Sequence, residues 1–220
     1  MEGDVYMEQI KIFDDLYEFT TENKMIPLTF NQYLLMGDEP LLIHTGSVQQ
    51  TQELVPKIKD LLKGKDLKYV FVSHFEYDEC GGLDYLLSHF PNVKTICSAI
   101  TARQLIGFGF TNEVILKKPD EVLEAKNFKL KFISYPSEAH LWEGLLVVDL
   151  NRKVFFGSDL FIKMDNIFEK KVDSNWKDEV DNLNNQNIPS MSGLKTLQDN
   201  LRNIDVKYIA TGHGPFIKLD

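Results

Sequence analysis

The apolar run from Tyr69 to Val72 breaks off into the segment SHFEYDECGG, where His74, Glu76 and Asp78 take alternate positions. A strand that ends on one imidazole and two carboxylates limits what the chain can fold into, because three donors in five residues cannot close a coordination shell alone. In an extended backbone the side chains at i, i+2 and i+4 share one side. The spacing therefore predicts that these three converge while Phe75 and Tyr77 face the other way. Nitrogen and oxygen donors gathered in this way suit a metal ion. The remaining donors must come from distant parts of the chain, so the fold has to bring several strand ends to one edge.

The pattern elsewhere supplies such strands. Gln9 to Phe13, Leu16 to Thr20, a run around Phe30 to Met36, and Pro40 to His44 read as strands, with turn signals at Gly37-Asp38 and Thr45-Gly46. Val48 to Leu62 carries an apolar stripe at Val55, Ile58, Leu61 and Leu62 and stops at Lys63-Gly64, which predicts a helix with a C-terminal glycine. A strand Lys68 to Ser73, a helix Gly82 to Phe90, a strand Val93 to Ser98 and a short helix from Ile100 follow. Strands return at Val114 to Lys117, Phe128 to Ser134, Leu145 to Leu150 and Val154 to Phe156. Trp176 to Asn203 reads as mostly helical, with Asn182 to Asn187 as a helix end or loop, before a last strand Val206 to Ala210. Strands then helices, twice over, predict an α/β protein of two similar halves, sheet packed on sheet with helices outside.

At 220 residues, 43% of them hydrophobic and 26% charged, the chain is expected to form a single globular domain over residues 1–220. A formal charge of −9 argues against nucleic acid or an anionic membrane as partner, since both reward clustered Lys and Arg. The N-terminus has neither a basic leader nor a long apolar stretch, and no window approaches the roughly 18 apolar residues of a membrane span. A cytoplasmic location is the expectation. Cys80 and Cys97 are too few for a disulfide framework. Cys80, two positions past Asp78, is either a soft ligand or a small buried filler.

Three later positions fit the missing donors: His140 in the loop Tyr135 to Glu143, Asp159 at the end of VFFGSD, and His213 in TGHGP. Each follows an apolar, strand-like run. Taken singly, they read as a loop residue, a turn residue and a histidine between turn glycines. In this order, with the first cluster, chance explains them poorly.

With NQYLL and LLIHTG upstream, the series SHFEYDECGG, His140, GSDLF and TGHGP resembles the metallo-β-lactamase superfamily along essentially the whole chain. Glu76, in the middle of the first motif, points to its flavodiiron branch. The resemblance implies a four-layer αβ/βα sandwich holding two iron ions, with manganese or zinc as alternatives. It makes His74, Glu76 and His140 ligands of one iron, Asp78 and His213 ligands of the other, and Asp159 the bridge. Hydrolases of the superfamily carry more histidines in the first motif, and carboxylates in their place shift preference from zinc toward iron or manganese.

Two departures carry consequences. The branch usually has a histidine where this chain has Glu79, so the second metal either loses a ligand or gains a negative one. If Glu79 coordinates, Glu76, Asp78, Glu79 and Asp159 balance the charge of two ferrous ions, which favours the ferric state and a lower reduction potential. The early motif, commonly Asp-Thr, is His44-Thr45 here, which replaces a carboxylate by an imidazole or simply buries a strand residue.

The resemblance implies a protein that binds O2 or NO. It would act as an oxygen sensor, or as an oxygen or nitric oxide reductase fed by a separate flavoprotein or rubredoxin. A flavodoxin-like domain and a bound flavin are not expected within these residues, because no Gly-rich nucleotide loop follows a strand. Relatives often form head-to-tail dimers. The alternative is a metal-dependent hydrolase of lactones or thioesters, with Asp78 as proton shuttle. A metal-free structural role would bury several carboxylates and imidazoles without partners, at a cost of several kcal/mol.

Overall fold

In the computed structural model, which describes residues 6–23, 27–136 and 144–220, period-2 patterning in the first third gives four strands. These are β1 (Met7–Phe13), β2 (Leu16–Asn23), β3 (Leu28–Leu35) and β4 (Leu41–Ile43), paired antiparallel in sequence order. Helix α1 (Val48–Leu62) follows, opened by a capping box between Ser47 and Gln50 and closed at Lys63 in the left-handed conformation. The chain continues through β5 (Tyr69–Phe71), the short α2 (Tyr77–Cys80), α3 (Leu83–His89), β6 (Lys94–Cys97), α4 (Ala99–Gly107) and β7 (Val114–Leu116). Helical crossovers make β4, β5, β6 and β7 parallel neighbours, so the first sheet runs β1 to β7 in sequence order.

The second sheet comprises β8 (Val122–Glu124), β9 (Lys129–Tyr135), β10 (Gly144–Asp149), β11 (Val154–Ser158), β12 (Lys171–Ser174), β13 (Tyr208–Thr211) and β14 (Phe216–Leu219). Its strand order is β12-β14-β13-β11-β10-β9-β8. Between β12 and β13 lie α5 (Trp176–Asp181) and α6 (Met191–Arg202). The region expected as mostly helical, with Asn182 to Asn187 as a helix end or loop, is two helices. Asn-mediated turns at Asn184 and Asn187, then Pro189 and the cap at Ser190, separate them.

Strand alternation sorts the side chains into three cores. Leu41 and Ile43 of β4 face the second sheet while Leu42 faces α1. Likewise Leu145 and Val147 of β10 face the first sheet while Leu146 and Val148 face α6. The central core lies between the sheets, with Phe71 against Phe132 across it at 6.1 Å. The outer cores cover each sheet with helices, α1, α3 and α4 on one side, α5 and α6 on the other. Each apolar side chain so enclosed contributes about 1.5–3 kcal/mol. The result is the expected four-layer αβ/βα sandwich.

Four elements escape the sequence pattern. β8 has three residues, and β12 is a polar edge strand, so neither shows an alternation long enough to read. β14 follows Pro215 as Phe-Ile-Lys-Leu, only four residues. The fourth, α2, bears on the site. Among the described residues no helix is long and apolar enough to cross a membrane.

Candidate metal centre

Strands β5, β11 and β13 end at the same edge of the sandwich, and the residues just past their ends meet there. Ser73 and His74 follow β5, Asp159 follows β11, and His213 follows β13. The backbone after His74 does not stay extended. Glu76 is the N-cap residue of α2, with Cys80 N–H donating to Glu76 O at 3.0 Å, so Asp78 and Glu79 sit as neighbours on a helical turn and each joins a different donor group. The expected one-sided alternation of His74, Glu76 and Asp78 is therefore replaced by two groups. Close packing of this turn against α1 requires small residues, since a Cβ on Gly82 would stand 1.6 Å from Thr51 Oγ1.

One group is His74, Glu76 and Glu79; the other is Asp78, Asp159 and His213. Within each, donor atoms lie within 4.8 Å of one another. His74 Nε2 is 3.0 Å from Glu76 Oε2 and 3.9 Å from Glu79 Oε2. His213 Nε2 is 3.3 Å from Asp78 Oδ2. Asp159 touches both groups, Oδ1 lying 3.2 Å from His213 Nε2 and Oδ2 3.4 Å from His74 Nε2. One carboxylate thus spans the pair with one oxygen toward each side.

The loop carrying His213 is pinned to the first sheet. Asn31 Nδ2 donates to Gly214 O at 2.8 Å and Thr211 O at 3.1 Å, and Asn31 N–H donates to Gly212 O at 2.9 Å. Gly214 N–H donates to Thr29 Oγ1, and His213 Nδ1 lies 2.7 Å from Thr29 O. A carbonyl only accepts, so Nδ1 carries the proton and Nε2 is left to face the acids. Gly212 N–H also bonds Ser158 O at 2.8 Å, and a Cβ on Gly212 would come within 2.7 Å of that oxygen.

The electrostatics match a cation site. Burial, then repulsion from Asp159 and Asp78, pushes the Glu79 carboxyl well above the ordinary carboxylate value. Burial is the largest influence on Asp78 and acts to raise it, but the hydrogen bonds with His213 and Glu79 and the charge of His213 together hold that carboxyl below its usual value. Burial would lower His213, yet Asp159 and Asp78 raise it to about 10. Asp78 Oδ1 and Glu79 Oε2 are buried without a hydrogen-bond partner among the described residues. Buried, unpartnered carboxylate oxygens beside two imidazoles are the donor set that a divalent ion would satisfy.

The structure brings together His74, Glu76, Asp78, Glu79, Asp159 and His213. His140, expected as a further donor, and Trp142 beside it lie outside the described residues. Glu79, expected to concern the metal of Asp78 and His213, stands instead with His74 and Glu76. His44 leaves the strand expected to contain it, taking φ 61° just past β4. Its ring stacks on Phe71 at 6.1 Å, burial pushes its pKa down to about 3, and Nε2 has no partner among the described residues. Cys80 is a buried filler: its thiol donates to Glu76 O at 3.2 Å, and burial pushes it up to about 12.

Sequence reading missed Ser73, Ser158, Thr29 and Asn31. Asn31 opens the NQYLL motif, a buried polar residue inside an apolar strand, and that was the available signal.

A two-sheet αβ/βα sandwich with paired acid–histidine groups at one edge defines a metallo-β-lactamase fold. The profile of the family described as "ODP family beta lactamase" matches residues 28–214, and the chain belongs to that family, within the flavodiiron branch of the metallo-β-lactamase superfamily. It is 26% identical over 197 residues to the putative diflavin flavoprotein A 2 of Nostoc sp. PCC 7120, covering 86% of this chain and 34% of that one. It is 27% identical over 211 residues to the putative diflavin flavoprotein A 1 of Thermosynechococcus vestitus, covering 91% and 36%. The chain thus spans about a third of the length of these curated relatives. Among solved structures, a flavoprotein from Thermotoga maritima superposes with a TM-score of 0.82 at 20% identity, covering 100% of this chain and 59% of that one. The flavodiiron protein from Giardia intestinalis does so at 0.77 and 18%, covering 98% and 56%.

Proposed function

We propose that the chain holds two iron ions and binds O2, with NO as a related ligand. One observation carries this reading. Four carboxylates and two imidazoles form two adjoining groups, each of one histidine and two acids, with Asp159 reaching into both. Oxygen-rich donor sets of this kind favour iron or manganese over zinc, which weighs against the hydrolase alternative. His74 and Glu76 would serve one ion, Asp78 and His213 the other, with Asp159 between them and Glu79 on the His74 side. His140 would join the first set. A ferrous pair supplies affinity for O2 or NO and the electrons to reduce it.

The protein's own groups set how that chemistry is used. Thr29 and Asn31 orient His213 so that Nε2, and not Nδ1, meets the acids. Burial of His74, Asp78, Glu79 and His213 restricts water at the site. Glu79 adds a fourth negative charge, which stabilises the oxidised ions and slows their re-reduction, so holding the ligand is favoured over rapid turnover. We therefore place oxygen sensing ahead of reductase activity. A reductase would need electrons from a flavin or rubredoxin donor. Iron-loaded protein, reduced and then mixed with one equivalent of O2, should change its visible absorption and consume little further O2 when an electron-donor system is supplied. Sustained consumption would assign it as a reductase, and an unchanged spectrum would remove the O2-binding reading.

A further inference from the structure

His74 and Glu79, two acid–base groups five residues apart, are also joined by a path that avoids their direct contact. His74 Nδ1 lies 3.0 Å from Ser73 Oγ, Ser73 Oγ lies 3.0 Å from Ser158 Oγ, and Ser158 Oγ donates to Glu79 Oε1 at 3.1 Å. Ser73 and Ser158 are buried, as are His74 and Glu79. The hydrogen count gives the path one direction. Glu79 Oε1 accepts from Ser158, so the Ser158 hydroxyl has no hydrogen left and must accept from Ser73. Ser73 in turn accepts from His74 Nδ1–H. Every hydrogen is used once, and His74 is left with an unprotonated Nε2 toward Glu76 and Asp159.

Ser158 holds this place at a cost. Its φ is 46°, in the left-handed region that glycine occupies freely and other residues avoid. A serine there contributes what glycine cannot, a hydroxyl aimed at Glu79. With Oε1 so engaged, Glu79 has Oε2 alone to offer, and Oε2 is the buried atom without a partner among the described residues, 3.9 Å from His74 Nε2.

We propose that Ser158, with Ser73, is a positioning residue that fixes Glu79 as a one-oxygen ligand, through Oε2, to the cation held by His74 and Glu76. This rests on the two-metal reading above. The chain of hydroxyls sets the His74 tautomer and the Glu79 rotamer together, so the two donors of one cation are oriented by a single network. Side chains outside this network, Thr29 and Asn31, hold the His213 loop of the other group.

Co2+ titration without oxygen, followed by calorimetry and visible absorption, tests this on the wild type, Ser158→Ala, Glu79→Gln and the double variant. The wild type should bind two equivalents. Ser158→Ala should weaken one of them by about 10–100-fold and leave the other unchanged. Glu79→Gln should weaken the same equivalent, and the double variant should lose no more than the stronger single effect, since Ser158 acts through Glu79. Ser158→Gly, which suits the backbone without strain, should reproduce Ser158→Ala and serves if the alanine variant fails to fold. Unchanged affinity in the serine variants, weakening of both equivalents alike, or additive losses would overturn the proposal. A wild type that binds no Co2+ would overturn the two-metal reading itself, a distinct result.

Discussion

The Tyr33 hydroxyl lies 3.1 Å from Glu18 Oε1 and donates to it inside the first sheet. The same hydroxyl lies 2.8 Å from Thr211 O, so its one hydrogen is shared between two acceptors. Glu18 itself is only 2% exposed. Burial raises its pKa to about 8 against the opposing hydrogen bond from Tyr33, with Glu8 adding to the rise and Lys170 opposing it. Glu22 and Glu169 line the same small cleft.

This arrangement makes stability depend on pH. A carboxyl raised on folding contributes stability that is whole below its unfolded pKa of 4.5 and is lost as pH rises through about 8. Glu18→Gln keeps an acceptor for the Tyr33 hydroxyl and cannot ionise. Its unfolding free energy should match the wild type near pH 5 and exceed it near pH 9 by on the order of 3 kcal/mol, read as a higher melting temperature. Parallel melting curves across that range would show Glu18 to be charged in the fold.

Asn31 fastens the His213 loop, so Asn31→Ala should destabilise the protein by about 2–3 kcal/mol, because Gly214 O and Thr211 O each lose a buried donor. In a domain of this size that is a fall of roughly 5–10 °C in melting temperature. Differential scanning calorimetry decides it. A shift below 1 °C would mean that the loop is held by its other contacts.

Glu79 sets the charge of the proposed iron pair. Glu79→Gln and Glu79→His each remove one negative charge from a buried position and should raise the midpoint potential of the iron-loaded protein by about 100 mV or more. A redox titration of the three proteins measures it. Equal potentials would show that Glu79 stays protonated when the metals are bound.

Much of the fold was legible because β2, β3, β9, β10 and α1 are long and regularly patterned. The ends of those elements were harder. His44 continues an apolar run, yet takes φ 61° once the strand pairing stops, one residue before the turn signal Thr45-Gly46. The site was legible as a set of residues and not as an arrangement. Alternation in HFEYD predicts one face, but four consecutive residues that close a helical turn at Gly81 divide the acids between two groups. Ser73 and Ser158 adjoin His74 and Asp159 in sequence, but pairing them required knowing that β5 and β11 end side by side in space. Asn31 could have been suspected as a polar residue in an apolar strand, though its partner lies 183 residues away.

Iron binding to the reduced protein without oxygen, counted per chain for the wild type and for Asp159→Ala, tests the central account most directly. Two equivalents in the wild type, with at most one bound tightly once the shared carboxylate is removed, is the predicted result. Fewer than one equivalent in the wild type, or two bound equally well without Asp159, would contradict it.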